Sequence, residues 1–179
     1  MKSFELDRLD FVFQDANSQR YLGRALAELS RTLQYDEVEK IRQNRIFLII
    51  TIAPGSTLSN FYFTPSEQRQ SVHLVAIDKT ISDHCALDTG EMAANILHEF
   101  GHALNCPTDG TSAVREFFAD SYAKQLGYGA KLVASLRKYL ASGLPYIDDE
   151  MRNLIHQRIE KLEDDEQEPL VGNPRELRQ

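Results

Sequence analysis

Apolar positions along the chain fall into two patterns, a helical one recurring every three to four residues and short continuous or alternating runs. From Ala16 to about Leu33, the residues Tyr21, Leu22, Ala25, Leu26, Leu29 and Leu33 form one stripe. That stripe predicts an amphipathic helix whose other face mixes Arg20, Arg24, Glu28 and Arg31. Asp36 to Gln43 predicts a further turn or two, with Arg42 and Arg45 at its basic end. Met92, Ala93, Ile96, Leu97, Phe100, Ala103 and Leu104 carry the helical spacing through the middle of the chain. Ahead of them Asp88-Thr89-Gly90-Glu91 reads as a capping box, and behind them Asn105-Cys106-Pro107 stops the helix. A helix follows from about Ser112 to Leu126, with Asp109, Thr111 or Ser112 to cap it and Gly127 to end it. Two more are predicted, at Ala130 to Ala141 and from Asp148 or Asp149 to about Leu162. Gly143-Leu144-Pro145 separates them.

Four runs read as strands. Leu9, Phe11 and Phe13 alternate near the N-terminus, and Ile46 to Ala53 is a continuous apolar, β-branched run closed by Pro54-Gly55. Such a run suits a strand covered on both faces. Asn60 to Thr64 places Phe61 and Phe63 on one face, and Val72 to Asp78 is the last candidate. Together these elements predict an α+β fold, a small, mainly antiparallel sheet of about three to four strands packed on helices. Residues 1–163 read as one domain, and 164–179, acidic at first and then carrying Pro169, Gly172 and Pro174, as a flexible tail. No internal repeat is present.

The central helix carries His98-Glu99-Phe100-Gly101-His102. Four residues along a helix is one turn up and only about 40° around, so both imidazoles leave the same face, roughly 6 Å apart along the axis. One tetrahedral zinc can bridge that spacing. Glu99, one step round, can hold a water at an open coordination position without ligating the metal. An amphipathic helix with two chance histidines would show the same five letters. The next helix weighs against that reading, because Glu116 and Asp120 share a face in Glu-Phe-Phe-Ala-Asp. A carboxylate there could complete a His-His-Glu set, and its partner one turn on could accept the free ring N–H of a liganding histidine.

His-Glu-Phe-Gly-His followed by Glu-Phe-Phe-Ala-Asp resembles the gluzincin metallopeptidases, whose third ligand lies in a Glu-x-x-Ala-Asp motif. The short chain and short gap between motifs look most like the compact minigluzincins, with the ImmA-like anti-repressor peptidases as the nearest kind. The resemblance covers about residues 45 to 127. It implies a zincin-like fold, one Zn2+ per chain held by His98, His102 and Glu116, and Glu99 as general base. It also implies Asp120 as the orienter of a ligand, and a peptide or protein as substrate. The strand at 72–78 would then pair with an extended substrate, or else be a plain structural strand. No motif marks an oxyanion donor; Tyr122 and Tyr128 are near in sequence, with a core or surface role the better reading of each.

Composition narrows the setting. The chain has 179 residues, 42% hydrophobic and 26% charged, which suits one ordinary globular domain. A net charge of −7 argues against a broad nucleic-acid surface. The first residues lack a secretion signal's apolar core, and the run at 46–53 is too short to span a bilayer, so no membrane partner is expected. Cys85 and Cys106 read as free thiols in a reducing, cytoplasmic setting. His73 and His84 read as strand-surface and loop residues, and His156 as exposed or packed on the last helix. The function expected is therefore a zinc-dependent peptidase. The alternatives are a metal-stabilised regulatory or interaction module without turnover, and metal-dependent hydrolysis of another substrate.

Overall fold

The computed structural model describes residues 16–43, 46–51, 73–105, 111–145 and 147–164. In order these form α1 (Ala16–Thr32), α2 (Tyr35–Gln43), β1 (Ile46–Thr51), β2 (His73–Asp78) and α3 (Lys79–His84). They continue as α4 (Thr89–Asn105), α5 (Ser112–Gln125), α6 (Gly129–Ala141) and α7 (Asp149–Asp164). The apolar stripes of the sequence thus become helices within a residue or two of their expected ends.

α4 is the axis of the packing, in contact with α1, α2, α5, α6 and β2. Its apolar residues lie on more than one face, and the fold covers nearly all of them. Met92, Ala93, Ala94, Ile96, Leu97 and Phe100 are each at most 1% exposed. A helix apolar on most sides is stable only when surrounded. Burying each large side chain on it contributes about 1.5–3 kcal/mol. Leu22, Ala25 and Leu29 of α1 and Leu132 and Leu136 of α6 supply part of the opposing surface.

The N-terminus of α4 is secured as its sequence predicts. The Glu91 amide donates to Asp88 Oδ1 at 2.7 Å, and the Asp88 amide donates back to Glu91 Oε2 at 2.7 Å. Such a reciprocal box satisfies two orphan helix donors. Glu91 is buried, and Lys138 of α6 donates to its Oε2 at 2.5 Å, so its charge is met inside the fold. α5 begins on Thr111, whose Oγ1 accepts from the Val114 amide, and ends at Gly127 with φ +86°. A left-handed residue at that position is nearly always glycine because a Cβ would meet the following carbonyl.

The expected α+β architecture, a mainly antiparallel sheet with helices packed on it, does not hold. The described residues are dominated by helix, and their strands are β1 and β2 alone, paired parallel from Ile46↔His73 to Thr51↔Asp78. The physical reason lies in the connection. Parallel neighbours need a connection of about a dozen residues or more, and the sequence separation of β1 and β2, whose bounds are Thr51 and His73, allows it, whereas an antiparallel hairpin closes through a short turn. The apolar run at β1 was compatible with a strand covered on both faces but carries no information on direction. α3 is an addition, too short to show a period, and His84 closes it rather than sitting in a loop. The expected strands at 9–13 and 60–64, Cys106 and most of the tail lie outside the described residues. Among the described residues no helix is long and apolar enough to cross a membrane.

Candidate metal centre

The site forms where α4 crosses α5, and the closeness of that crossing depends on two small residues. A Cβ built on Gly101 would stand 2.8 Å from Ala119 Cα and 3.0 Å from Ala119 O. Gly101 lies beside His102, and Ala119 lies between Glu116 and Asp120, so the bare contact brings the two polar faces together. Alanine usually stabilises a helix over glycine by about 1 kcal/mol. Here the clash is with backbone, which cannot swing aside. Gly101→Ala is therefore expected to cost about 1–3 kcal/mol as overpacking and to weaken metal binding by pushing Glu116 away. Thermal melting and a metal titration check this; an unchanged or raised melting temperature with unaltered binding would show that the crossing is not set there.

His98 Nε2 and His102 Nε2 are 3.1 Å apart, and Glu116 places Oε2 3.3 Å from the first and Oε1 3.3 Å from the second. For metal–ligand bonds of 2.0–2.2 Å, the edges of a coordination tetrahedron are about 3.3–3.6 Å. The two imidazole nitrogens stand near that spacing from one another and each from one oxygen of Glu116, and one ligand atom from each of the three residues lies within 4.8 Å of the others. His98, His102 and Glu116 can hold a metal ion, and they are the one such converging group among the described residues.

Of the three side chains, His98 is the most constrained. Its Nδ1 lies 2.8 Å from Asp120 Oδ1, so Nδ1–H donates to the carboxylate and Nε2 is turned toward Glu116 and His102. The free lone pair of Nε2 faces carboxylate oxygens, an arrangement that only a cation or a second proton makes favourable. In the metal-free chain, burial and the Arg158 charge push the imidazole down, but Asp120, Glu116 and Glu99 outweigh them and raise it to about 9. Burial works against ionisation of Glu116, yet His102, His98 and Arg158 hold its carboxyl far below the usual range. Asp120 is likewise lowered, against its burial, by His98 and Arg158. Glu99 behaves differently: burial lifts its carboxyl, and the pull of His98 and His102 does not cancel that. Glu99 is half-buried and follows His98 directly on α4.

Sequence reading missed Arg158. Its Nε donates to Asp120 Oδ2 at 2.8 Å and its Nη2 to Asp120 Oδ1 at 2.7 Å, a two-pronged pair, while Nη1 lies 2.9 Å from Glu116 Oε2. Only 8% exposed, it sits in α7 beside the buried Ile155, Ile159 and Leu162. A charge on the inward stripe of an amphipathic helix was the signal available. The tyrosines stand elsewhere. Tyr122 is buried and donates to Glu37 Oε2 at 2.9 Å, and Tyr128 is buried with its hydroxyl 2.9 Å from Thr32 Oγ1. His84 Nε2 is 3.1 Å from Ser142 O, and no fourth protein ligand joins the three among the described residues.

Compared with protein-family models, with curated proteins and with solved structures, the chain finds no match.

Proposed function

We propose that the chain is a zinc-dependent peptidase. The observation that carries the reading is the convergence of two imidazoles and one carboxylate, with one ligand atom from each within 4.8 Å of the others, and with Glu99 on the residue after His98 in the same helix. Zinc is the ion that a His-His-Glu set with an open position suits best. When bound, it would supply Lewis acidity, acidifying water and polarising a carbonyl. His98, His102 and Glu116 would hold it. Asp120 keeps the His98 ring turned by accepting its Nδ1–H. Glu99 would take the proton of the attacking water and deliver it to the leaving amine nitrogen, the role a carboxyl lifted by burial suits. The peptide bond as substrate rests on the resemblance of the two motifs to gluzincins. The buried free thiol of Cys85 accords with a reducing compartment such as the cytoplasm.

One observation favours a second reading. Arg158, Asp120 and Glu116 tie α7 to the α4–α5 crossing, so a metal there would also brace the fold of an interaction module. Incubation of zinc-loaded protein with a mixed peptide library, read by mass spectrometry, separates the two. The peptidase reading expects cleavage that stops with a chelator and returns with Zn2+. No cleavage of any peptide, with a melting temperature that still falls on chelation, would make the module the function.

A further inference from the structure

We infer that Arg158 is a positioning residue of the metal site, one that holds Asp120 and Glu116 for ligation and confines Glu116 to a single ligating oxygen. This rests on the metal-centre reading above and deepens it.

A cation beside a metal site should weaken binding by repulsion, so its presence needs an account. Arg158 is paired through two prongs with Asp120, at 2.8 and 2.7 Å. The pair is formally neutral, which reduces the repulsion that a lone guanidinium would exert on a nearby cation. What remains is geometry. Arginine presents its donors as a rigid planar fork, which fixes the plane of the carboxylate it grips. Asp120, fixed in that way, presents Oδ1 to His98 Nδ1 at 2.8 Å. The contact runs from α7 through Asp120 of α5 to the His98 ring on α4, and Arg158 Nη2 also lies 3.3 Å from His98 Nδ1 directly.

The third prong acts on Glu116 directly. Nη1 lies 2.9 Å from Glu116 Oε2, leaving Oε1 as the oxygen without an arginine partner. A carboxylate with one oxygen occupied by a guanidinium enters a coordination sphere through the other. Glu116 would then spend one coordination position rather than two, keeping a position open for water. Three buried or half-buried carboxyls, Glu99, Glu116 and Asp120, converge here. One divalent ion with one guanidinium balances them, which explains why a fixed cation is tolerated.

The test uses the full chain with Zn2+ and Co2+ as probes. Arg158→Met is expected to loosen Zn2+ binding about 10–100-fold in competition with a chelator, the usual effect of losing a partner that orients a ligand. Arg158→Lys, a point charge without the fork, covers the case in which the methionine variant does not fold. It should keep the helical spectrum of wild type and still bind more weakly. In Co2+-loaded protein, a second Glu116 oxygen entering the sphere would turn a four-coordinate ion five-coordinate, and its visible absorption should weaken. A merely structural arginine would not move that spectrum. Asp120→Asn combined with Arg158→Met should lose less than the product of the single losses, because the two act as a unit. Stoichiometric Zn2+ in wild type with equal or tighter binding in both arginine variants would overturn the inference alone. No metal in wild type would overturn it together with the metal-centre reading.

Discussion

Glu99→Gln is expected to bind one metal ion per chain, as wild type does, and to lose peptide cleavage by at least about 10²–10⁴-fold, the contribution of a positioned general base. The substitution is nearly isosteric, so the α4–α5 crossing and the three ligand atoms should stay in place. What disappears is the ability to take a proton. Burial already lifts the Glu99 carboxyl above its ordinary range, so a neutral side chain at this position resembles one state of the native residue. The fold should accordingly tolerate the amide, and the melting temperature of the zinc-loaded variant should match wild type. Metal content by elemental analysis and cleavage by mass spectrometry read the two effects separately. Wild-type turnover in this variant would sink the mechanism, because no other described carboxyl stands in that relation to the ligands.

The second large effect concerns the ligands. His98→Ala, His102→Ala and Glu116→Ala are each expected to lose stoichiometric metal, beyond the roughly 10–100-fold loss that follows removal of an orienting partner. Each deletion takes one corner from a set whose three ligand atoms lie within 4.8 Å of one another. Folding should survive in His98→Ala, since Asp120 keeps both prongs of Arg158. Metal retained in Glu116→Ala would move the third ligand elsewhere and unseat the set. Loading should also release protons. His98 without metal is held protonated to about 9, so at neutral pH its second proton must leave as the ion enters. Affinity should therefore fall as pH is lowered, and buffers of different ionisation enthalpy should report about one proton released per ion in wild type.

Particular residues show how far the sequence could be read. His98 and His102 share a face because the helical period alone dictates it, and the same holds for Glu116 and Asp120. Asp88 and Glu91 form their box because a cap is a contact between residues three apart. Arg158 was hidden for the opposite reason. Its partners lie on another helix, and along its own helix it differs from a solvated arginine only in falling among Ile155, Ile159 and Leu162. Gly101 was visible as a letter, but its purpose appears only when Ala119 is seen 2.8 Å from where a Cβ would be.

Taken alone, the sequence determined the extents of α1, α2 and α4 to α7, the caps of α4, α5 and α7, and the two pairs of chemically competent side chains, because each depends on neighbours within a turn or two of chain. Only the tertiary structure decided that the two pairs face one another, that α4 is covered nearly all round, and that β1 and β2 run parallel. It also decided that a third helix supplies a cation to the site. These depend on which surfaces meet across long separations. A local period reports the direction in which a side chain leaves its own helix or strand, and not what waits on the other side.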